Sequence, residues 1–308
     1  MSESVSCALC GSNDNKIVFN KAGQKRGNAR EAINVICQRC GLVYNDPMPT
    51  DEDLKNFYSG HLVENKNMDE EYNKLVGRLS KIDEEKFQKI SNFLRPHIEK
   101  IDRTSEVVDI GCGSGALLWK IKKDCGLRTV GIEPDKLKSR VAKEHFKIDE
   151  VRNEFFEEFV NQTERKFDMV SLRHVLEHLK DPNGVLSSLK GILKKDGYLF
   201  IVVPNVSDFK PSKSLEDSFE YGHVYSYTPR TLQLLLLKNG YKIVKWSFDY
   251  KLSLQILAVR TENNINSISF DELSSGCSLR DVEKALKKHQ LRHILFRLKR
   301  KITGRSGI

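Results

Sequence analysis

The stretch VVDIGCGSG at 107–115 constrains this chain more than any other. An apolar run that ends in an acid and enters a turn with glycine at alternate positions, Gly111, Gly113 and Gly115, describes a buried parallel strand feeding a helix. Glycine there lets the backbone take positive φ and lie directly against a ligand. Gly111, Gly113 and Ala116 also satisfy the dinucleotide spacing G-x-G-x-x-G/A, so the turn alone does not name its ligand.

From this point strands and helices alternate. Strands are expected at 107–110, 129–133, 167–172 and 197–203, with helices at 117–123, 139–146, after Lys180-Asp181-Pro182, and at 229–238. Two further strands, 241–248 and 253–260, close the series. The few residues between them are too short for a parallel crossover, so they form a hairpin. The expected fold is therefore α/β and Rossmann-like: a mostly parallel sheet with one antiparallel strand.

Upstream, CALCG at 7–11 and CQRCGLVYNDPMP at 37–49 place Cys7, Cys10, Cys37 and Cys40 in two C-x-x-C knuckles. Each pair sits on a tight turn whose following glycine, Gly11 or Gly41, can free backbone N–H groups for the sulfurs. Four thiolates make a closed tetrahedral site, which implies a structural Zn2+ in an amino-terminal ribbon. Zinc also accounts for the stretch between the knuckles, whose Lys, Gly and Asn give little apolar area to bury. Cys112, Cys125 and Cys277 are expected as free thiols. No amino-terminal apolar run resembles a signal peptide and no stretch is long enough to span a bilayer, so a cytoplasmic location is expected.

Apolar residues at helical spacing between 75 and 94, including Leu75, Leu79, Phe87, Ile90 and Leu94, predict a helical connector or cap, interrupted at Pro96. The expected organisation is a zinc ribbon over 1–50, the connector over 51–104, the α/β domain over 105–262 and a basic amphipathic tail over 263–308. The formal charge of +9 belongs almost wholly to that tail, where ten Lys or Arg between 279 and 305 face only Asp281 and Glu283. Val282, Leu286, Leu291, Ile294, Leu295, Leu298 and Ile302 recur there near helical spacing. Three roles suit such a helix: packing against the body, peripheral contact with anionic lipid, or contact with RNA phosphate.

Asp109 before the turn, the three alternate glycines and Glu133 at the end of the second strand resemble the class I S-adenosylmethionine-dependent methyltransferases. The blocks FDMVSLRHVLEHLKDP, LKKDGYLFIVVPN and GHVYSYTPRTLQLLLLKNGYKIV extend the resemblance over about 106–260, and a ribbon with CGLVYNDPMP is a familiar preface to such domains, sugar methyltransferases included. The resemblance implies S-adenosyl-L-methionine as cofactor, bound by Asp109, Gly111, Gly113, Gly115 and Glu133, with Asn153 beside the adenine and Leu172 to His174 lining the reactive face. It implies a methyltransferase acting on a small-molecule acceptor, such as a nucleotide sugar or glycan precursor. The alternatives are an RNA methyltransferase and a non-catalytic zinc-ribbon interaction module on a degenerate methyltransferase scaffold.

Methyl transfer to a hydroxyl needs a base, and histidine has the suitable pKa. His223 in EYGHVYSYTP is the first candidate, with Tyr221 beside it and His174 as a second histidine facing the pocket. Ribbon-bearing sugar carbon methyltransferases carry Y-x-E-H at this block, whereas Glu220, Tyr221, Gly222 and His223 stand here, which favours oxygen over carbon methylation. HVLEH at 174–178 also matches the zinc-peptidase pattern H-x-x-E-H, but that chemistry needs a long helix in a peptidase scaffold, and here the motif follows a buried strand.

Overall fold

The computed structural model describes residues 4–19, 33–54, 67–79, 84–99, 104–207, 212–214, 218–219, 222–248, 253–261 and 279–302. Its centre is a seven-stranded sheet of β4 (Glu106–Ile110), β5 (Arg128–Ile132), β6 (Glu150–Arg152), β7 (Phe167–Arg173), β8 (Leu193–Val203), β10 (Tyr241–Phe248) and β11 (Leu254–Arg260). The strands lie in the order β10-β11-β8-β7-β4-β5-β6. β4 pairs in parallel with β5 and β7, β5 with β6 and β7 with β8. β11 runs antiparallel to both β8 and β10, as the short terminal link requires.

The strands read as near-continuous apolar runs because both faces of the sheet are covered. Alternate residues feed two cores. Val108, Ile110, Val170, Leu172 and Ile201 pack with Phe159 of α5 (Phe156–Gln162), Leu186 of α6 (Pro182–Ile192) and Leu235 of α7 (Pro229–Lys238). Val107, Met169, Phe200 and Val202 pack on the other side with Leu117 and Ile121 of α3 (Ala116–Cys125) and with Phe87, Ile90 and Leu94 of α2 (Glu84–Ile98). Pro96 does not stop α2, which runs on to Ile98. It falls in the last turn, so the bond its missing N–H forfeits is one of the last in the helix. α1 (Met68–Leu79) buries none of its residues and meets α4 (Lys136–Glu144) through an Arg140–Asp69 ion pair at 2.6 Å and Tyr72 under the Arg140 guanidinium.

Helix starts follow local chemistry. Asp181 accepts from the Gly184 N–H before Pro182 opens α6, and Thr228 accepts from the Thr231 N–H before Pro229 opens α7.

The amino-terminal ribbon consists of β1 (Asn15–Phe19), β2 (Asn34–Cys37) and β3 (Val43–Asn45), all antiparallel. Its sheet has a fourth strand, β9 (Tyr225–Ser226), which comes from the α/β segment and pairs with β3. Val43 faces Ser226, Tyr44 faces Tyr225, and the Asn45 N–H donates to the Val224 carbonyl at 3.0 Å. Leu9, Leu42 and Tyr44 share one core cluster with Val224, Leu186 and Tyr241, so the ribbon and the large sheet are packed continuously. On the ribbon's other face, Ile36 and Val43 receive Val282 and Leu286 of α8 (Leu279–Ile302). Cys112 and Cys125 are free thiols; Cys277 lies outside the described residues.

Candidate active site

β4 and β7 are neighbours, but the chain leaves β4 toward β5 and returns to β7 from the opposite side, which makes the carboxyl ends of these strands a switch point. The glycine turn occupies it. The Gly111 and Cys112 N–H groups donate to the Ile132 carbonyl at 2.8 and 3.0 Å, fastening the turn to the end of β5. Gly111 has φ 67°, and a Cβ there would stand 2.6 Å from Val175 Cγ2. Gly113, at φ 57°, is different: a Cβ there would meet nothing within 4 Å, so the turn opens onto free space. Gly115, at φ 83°, precedes α3, and no side chain caps that helix. The first N–H groups of α3 are thus suited to a ligand carboxylate.

Glu133 lies just past β5 with its carboxylate almost fully buried. One oxygen accepts from the Gly113 N–H at 2.8 Å and the other from the Asp135 N–H at 3.0 Å. Burial raises its pKa against those two donors, and each oxygen keeps a second lone-pair direction for a hydroxyl. Asn153, just beyond β6, braces this corner by donating to the Glu133 and Pro134 carbonyls at 2.8 and 2.9 Å.

Asp109 is 1% exposed. Ser171 on β7 donates to one carboxylate oxygen, and the other has no hydrogen-bond partner among the described residues. Burial pushes the carboxyl up to about 6, opposed by the Arg173 charge and the Ser171 hydroxyl. A buried anion with an unused oxygen beside an open hollow suits a cationic group. The chemistry of this donor set fits S-adenosylmethionine: helix N–H groups for its carboxylate, Asp109 for its ammonium and Glu133 for its ribose hydroxyls.

The other wall begins where β7 ends. His174 holds φ 57°, a left-handed conformation that costs a residue other than glycine roughly 1–2 kcal/mol. Its N–H donates to the Val202 carbonyl at 2.8 Å, and its Nδ1 lies 3.3 Å from Glu177 Oε1. Glu177 and His178 belong to a three-residue 3-10 turn, Leu176–His178, so the H-x-x-E-H segment lacks the long helix that peptidase chemistry requires. Glu177 is 1% exposed, and its second oxygen has no hydrogen-bond partner among the described residues. Burial alone would raise this carboxyl, but the His174 contact and the nearby His178 and His223 hold it below its ordinary value.

His178 Nδ1 is 2.8 Å from the Gly222 carbonyl, which can only accept, so that nitrogen carries the proton. The His178 and His223 rings meet edge to face at 4.8 Å between centroids. Glu177, His178 and His223 bring their polar atoms within 4.8 Å of one another, close enough for an acid–base relay or a shared cation. The spacing of HVLEH to His223 offers no hint of this convergence. Leu172 sits in the core with its side chain fully buried, and Tyr221 lies outside the described residues.

In the ribbon, Cys7 Sγ and Cys40 Sγ are 3.5 Å apart, Cys10 Sγ and Cys37 Sγ 3.4 Å, and all four sulfurs lie within 4.8 Å of one another. Zinc with bonds of about 2.3 Å sets its sulfurs about 3.8 Å apart, so the cluster fits that ion closely. The Gly11 and Gly41 N–H groups close the two knuckles onto the Cys7 and Cys37 carbonyls.

A family model described as "Methyltransferase domain" matches residues 65–245. The chain belongs to the class I methyltransferase family. Similar curated proteins include the ubiquinone biosynthesis O-methyltransferase of Actinobacillus pleuropneumoniae serotype 7 (strain AP76), 35% identical over 108 residues, covering 32% of this chain and 46% of the relative. The human mitochondrial ubiquinone biosynthesis O-methyltransferase is 27% identical over 154 residues, covering 45% of this chain and 42% of that relative. The tRNA U34 carboxymethyltransferase of Aliarcobacter butzleri (strain RM4018) is 33% identical over 113 residues, covering 36% of each chain. The matched stretches thus span less than half of these relatives. Among solved structures, an S-adenosylmethionine-dependent methyltransferase from Clostridium acetobutylicum ATCC 824 aligns with TM-score 0.47 and 12% identity, over 62% of this chain and 99% of that one.

Proposed function

We propose that this protein transfers a methyl group from S-adenosylmethionine to a hydroxyl of a small-molecule acceptor. The observation that carries the reading is an open glycine turn flanked by Asp109 and Glu133 at a switch point, with Gly111 against Val175 at the start of the segment whose Glu177 and His178 cluster with His223. When bound, the cofactor supplies an electrophilic methyl on a sulfonium that departs as a neutral thioether.

The chain's own residues hold and align. Asp109, Gly111, Gly113, Gly115 and Glu133 fix the nucleoside and amino-acid ends, and Asn153 keeps the Glu133 corner in place. His223 takes the acceptor's proton as the oxygen–carbon bond forms. His178 orients the His223 ring, and the buried Glu177 carboxylate offsets the positive charge that then resides on imidazole. The strained His174 backbone turns its side chain off the sheet toward Glu177. Four-thiolate zinc in the ribbon would hold β3, and through it β9, without taking part in the reaction.

The O-methyltransferase names of the similar proteins support an oxygen acceptor. A nucleotide sugar or glycan precursor is the finer reading that the ribbon favours. RNA is the second reading, supported by the tRNA-modifying relative and the basic tail. Among the described residues no helix is long and apolar enough to cross a membrane. We assign the enzyme to a reducing, cytoplasmic setting on its free thiols. The test is incubation with isotope-labelled cofactor and, separately, a metabolite pool and an RNA pool, followed by mass spectrometry. Label in a small molecule supports the reading; label confined to RNA replaces it with the second; none in either pool, with no cofactor binding by calorimetry, leaves a non-catalytic scaffold.

A further inference from the structure

Helix α8 has two apolar faces, and among the described residues only one is packed against the body. At 3.6 residues per turn Val282, Leu286 and His289 fall within one arc, and all three are buried. Val282 and Leu286 pack against Ile36 and Val43 of the ribbon and against Val206 and Phe219. Lys16 secures this half through an ion pair with Glu283 at 3.1 Å.

Further along, Leu291, Ile294 and Leu295 fall within about 100° of one another on roughly the opposite side. They are 62%, 53% and 64% exposed. The same helical register sets Lys288 and Arg292 on one border of this stripe and Arg297 on the other, with Lys288 and Arg297 exposed. The spacing that looks like a single amphipathic face in the sequence is therefore two faces, one docked and one presented.

We propose that the presented face of α8 docks the protein onto an anionic lipid bilayer. A partner that offered phosphate alone would engage the lysines and arginines and leave three large aliphatic side chains in water. A bilayer takes both, the stripe entering between headgroups while the flanking cations meet anionic lipid. Charge complementarity commits the surface to this occupant, since between residues 279 and 305 ten cations face only two acids. The inference is independent of the methyl-transfer reading, because among the described residues α8 packs on Ile36, Val43, Val206 and Phe219, outside the residues assigned to the reaction.

The experiment is co-sedimentation of the full-length protein with vesicles of phosphatidylcholine alone and of equimolar phosphatidylcholine and phosphatidylserine. Binding is expected to the mixed vesicles, at least about tenfold weaker to phosphatidylcholine, and reduced by added salt. The triple variant L291S/I294S/L295S is expected to lose at least about tenfold in binding while keeping its cofactor affinity and helical circular dichroism. Lys288→Glu with Arg292→Glu should weaken binding to the mixed vesicles only. Sedimentation of the triple variant equal to that of the wild type overturns the proposal. So does a wild-type chain that binds single-stranded RNA but neither vesicle.

Discussion

The proposed cofactor wall and the proposed acceptor wall rest on different parts of the chain. Asp109, the glycine turn and Glu133 lie within one strand–helix–strand unit at the middle of the large sheet, tied together by the Gly111, Cys112 and Gly113 N–H groups. His223 instead stands just before β9, and β9 is hydrogen-bonded to the ribbon. The first wall is closed by local contacts, whereas the second depends on a module more than 170 residues earlier in the chain. A perturbation of the ribbon should therefore separate the two.

The largest effect is expected from disabling the proposed zinc site. Replacing Cys37 and Cys40 together with serine, or treating with a chelator, would remove on the order of 10 kcal/mol of binding energy that a four-thiolate zinc would supply to the ribbon. Acceptor turnover should vanish while cofactor affinity, read by calorimetry, changes by no more than a few-fold. Equal collapse of both would show that the walls are one cooperative unit. Metal analysis of protein purified under reducing conditions should find one zinc per chain.

Next in size is His223→Asn, which should lower kcat by about 10²- to 10⁴-fold with cofactor affinity unchanged. Full turnover in that variant would remove His223 from the reaction and shift attention to His174. On the opposite wall, Glu133→Ala should weaken cofactor binding by roughly tenfold to a hundredfold, because it removes the ribose acceptor and leaves the Gly113 and Asp135 N–H groups without their partner. Unchanged affinity would deny Glu133 that role.

The smallest effect is a pH dependence. The Asp109 carboxyl, pushed up to about 6, is neutral below that value and anionic above it. A cationic ligand prefers the anion, so cofactor affinity should rise about tenfold between pH 5 and pH 7 and then level off. Asp109→Asn should flatten the profile at its weak end. An inflection that survives the substitution would belong to another group.

The strand–turn–strand geometry around the proposed cofactor wall was legible because it is local. The glycine spacing, the acid at each strand end and the short terminal link are contiguous patterns, and each physical demand is met within a few residues. The helix over 229–238 was legible for the same reason, with Thr228 and Pro229 marking its start. At the proposed acceptor wall His223 and His174 could be named from the sequence, but the convergence on His178 and Glu177 could not. β9 has two residues and exists only because β3 offers an edge, and β6 has three residues whose chief partner is β5. The approach of Glu177 and His178 to His223 is tertiary, and the rotation that divides α8 into two faces depends on which surface it meets. HVLEH matches the zinc-peptidase letters by pattern alone, and its place after a buried strand set that reading aside, in keeping with the 3-10 turn it forms.

The two-residue seam between β3 and β9 also bears on how such proteins can be recombined. A metal module joined to its host only by a linker can be exchanged freely, but here the seam makes the cysteine knuckles and the 222–228 loop a single cassette. A chimera that grafts these knuckles onto another methyltransferase scaffold must carry both pieces, or the transplanted sheet will be left with a bare edge and the recipient's loop with nothing to lean on.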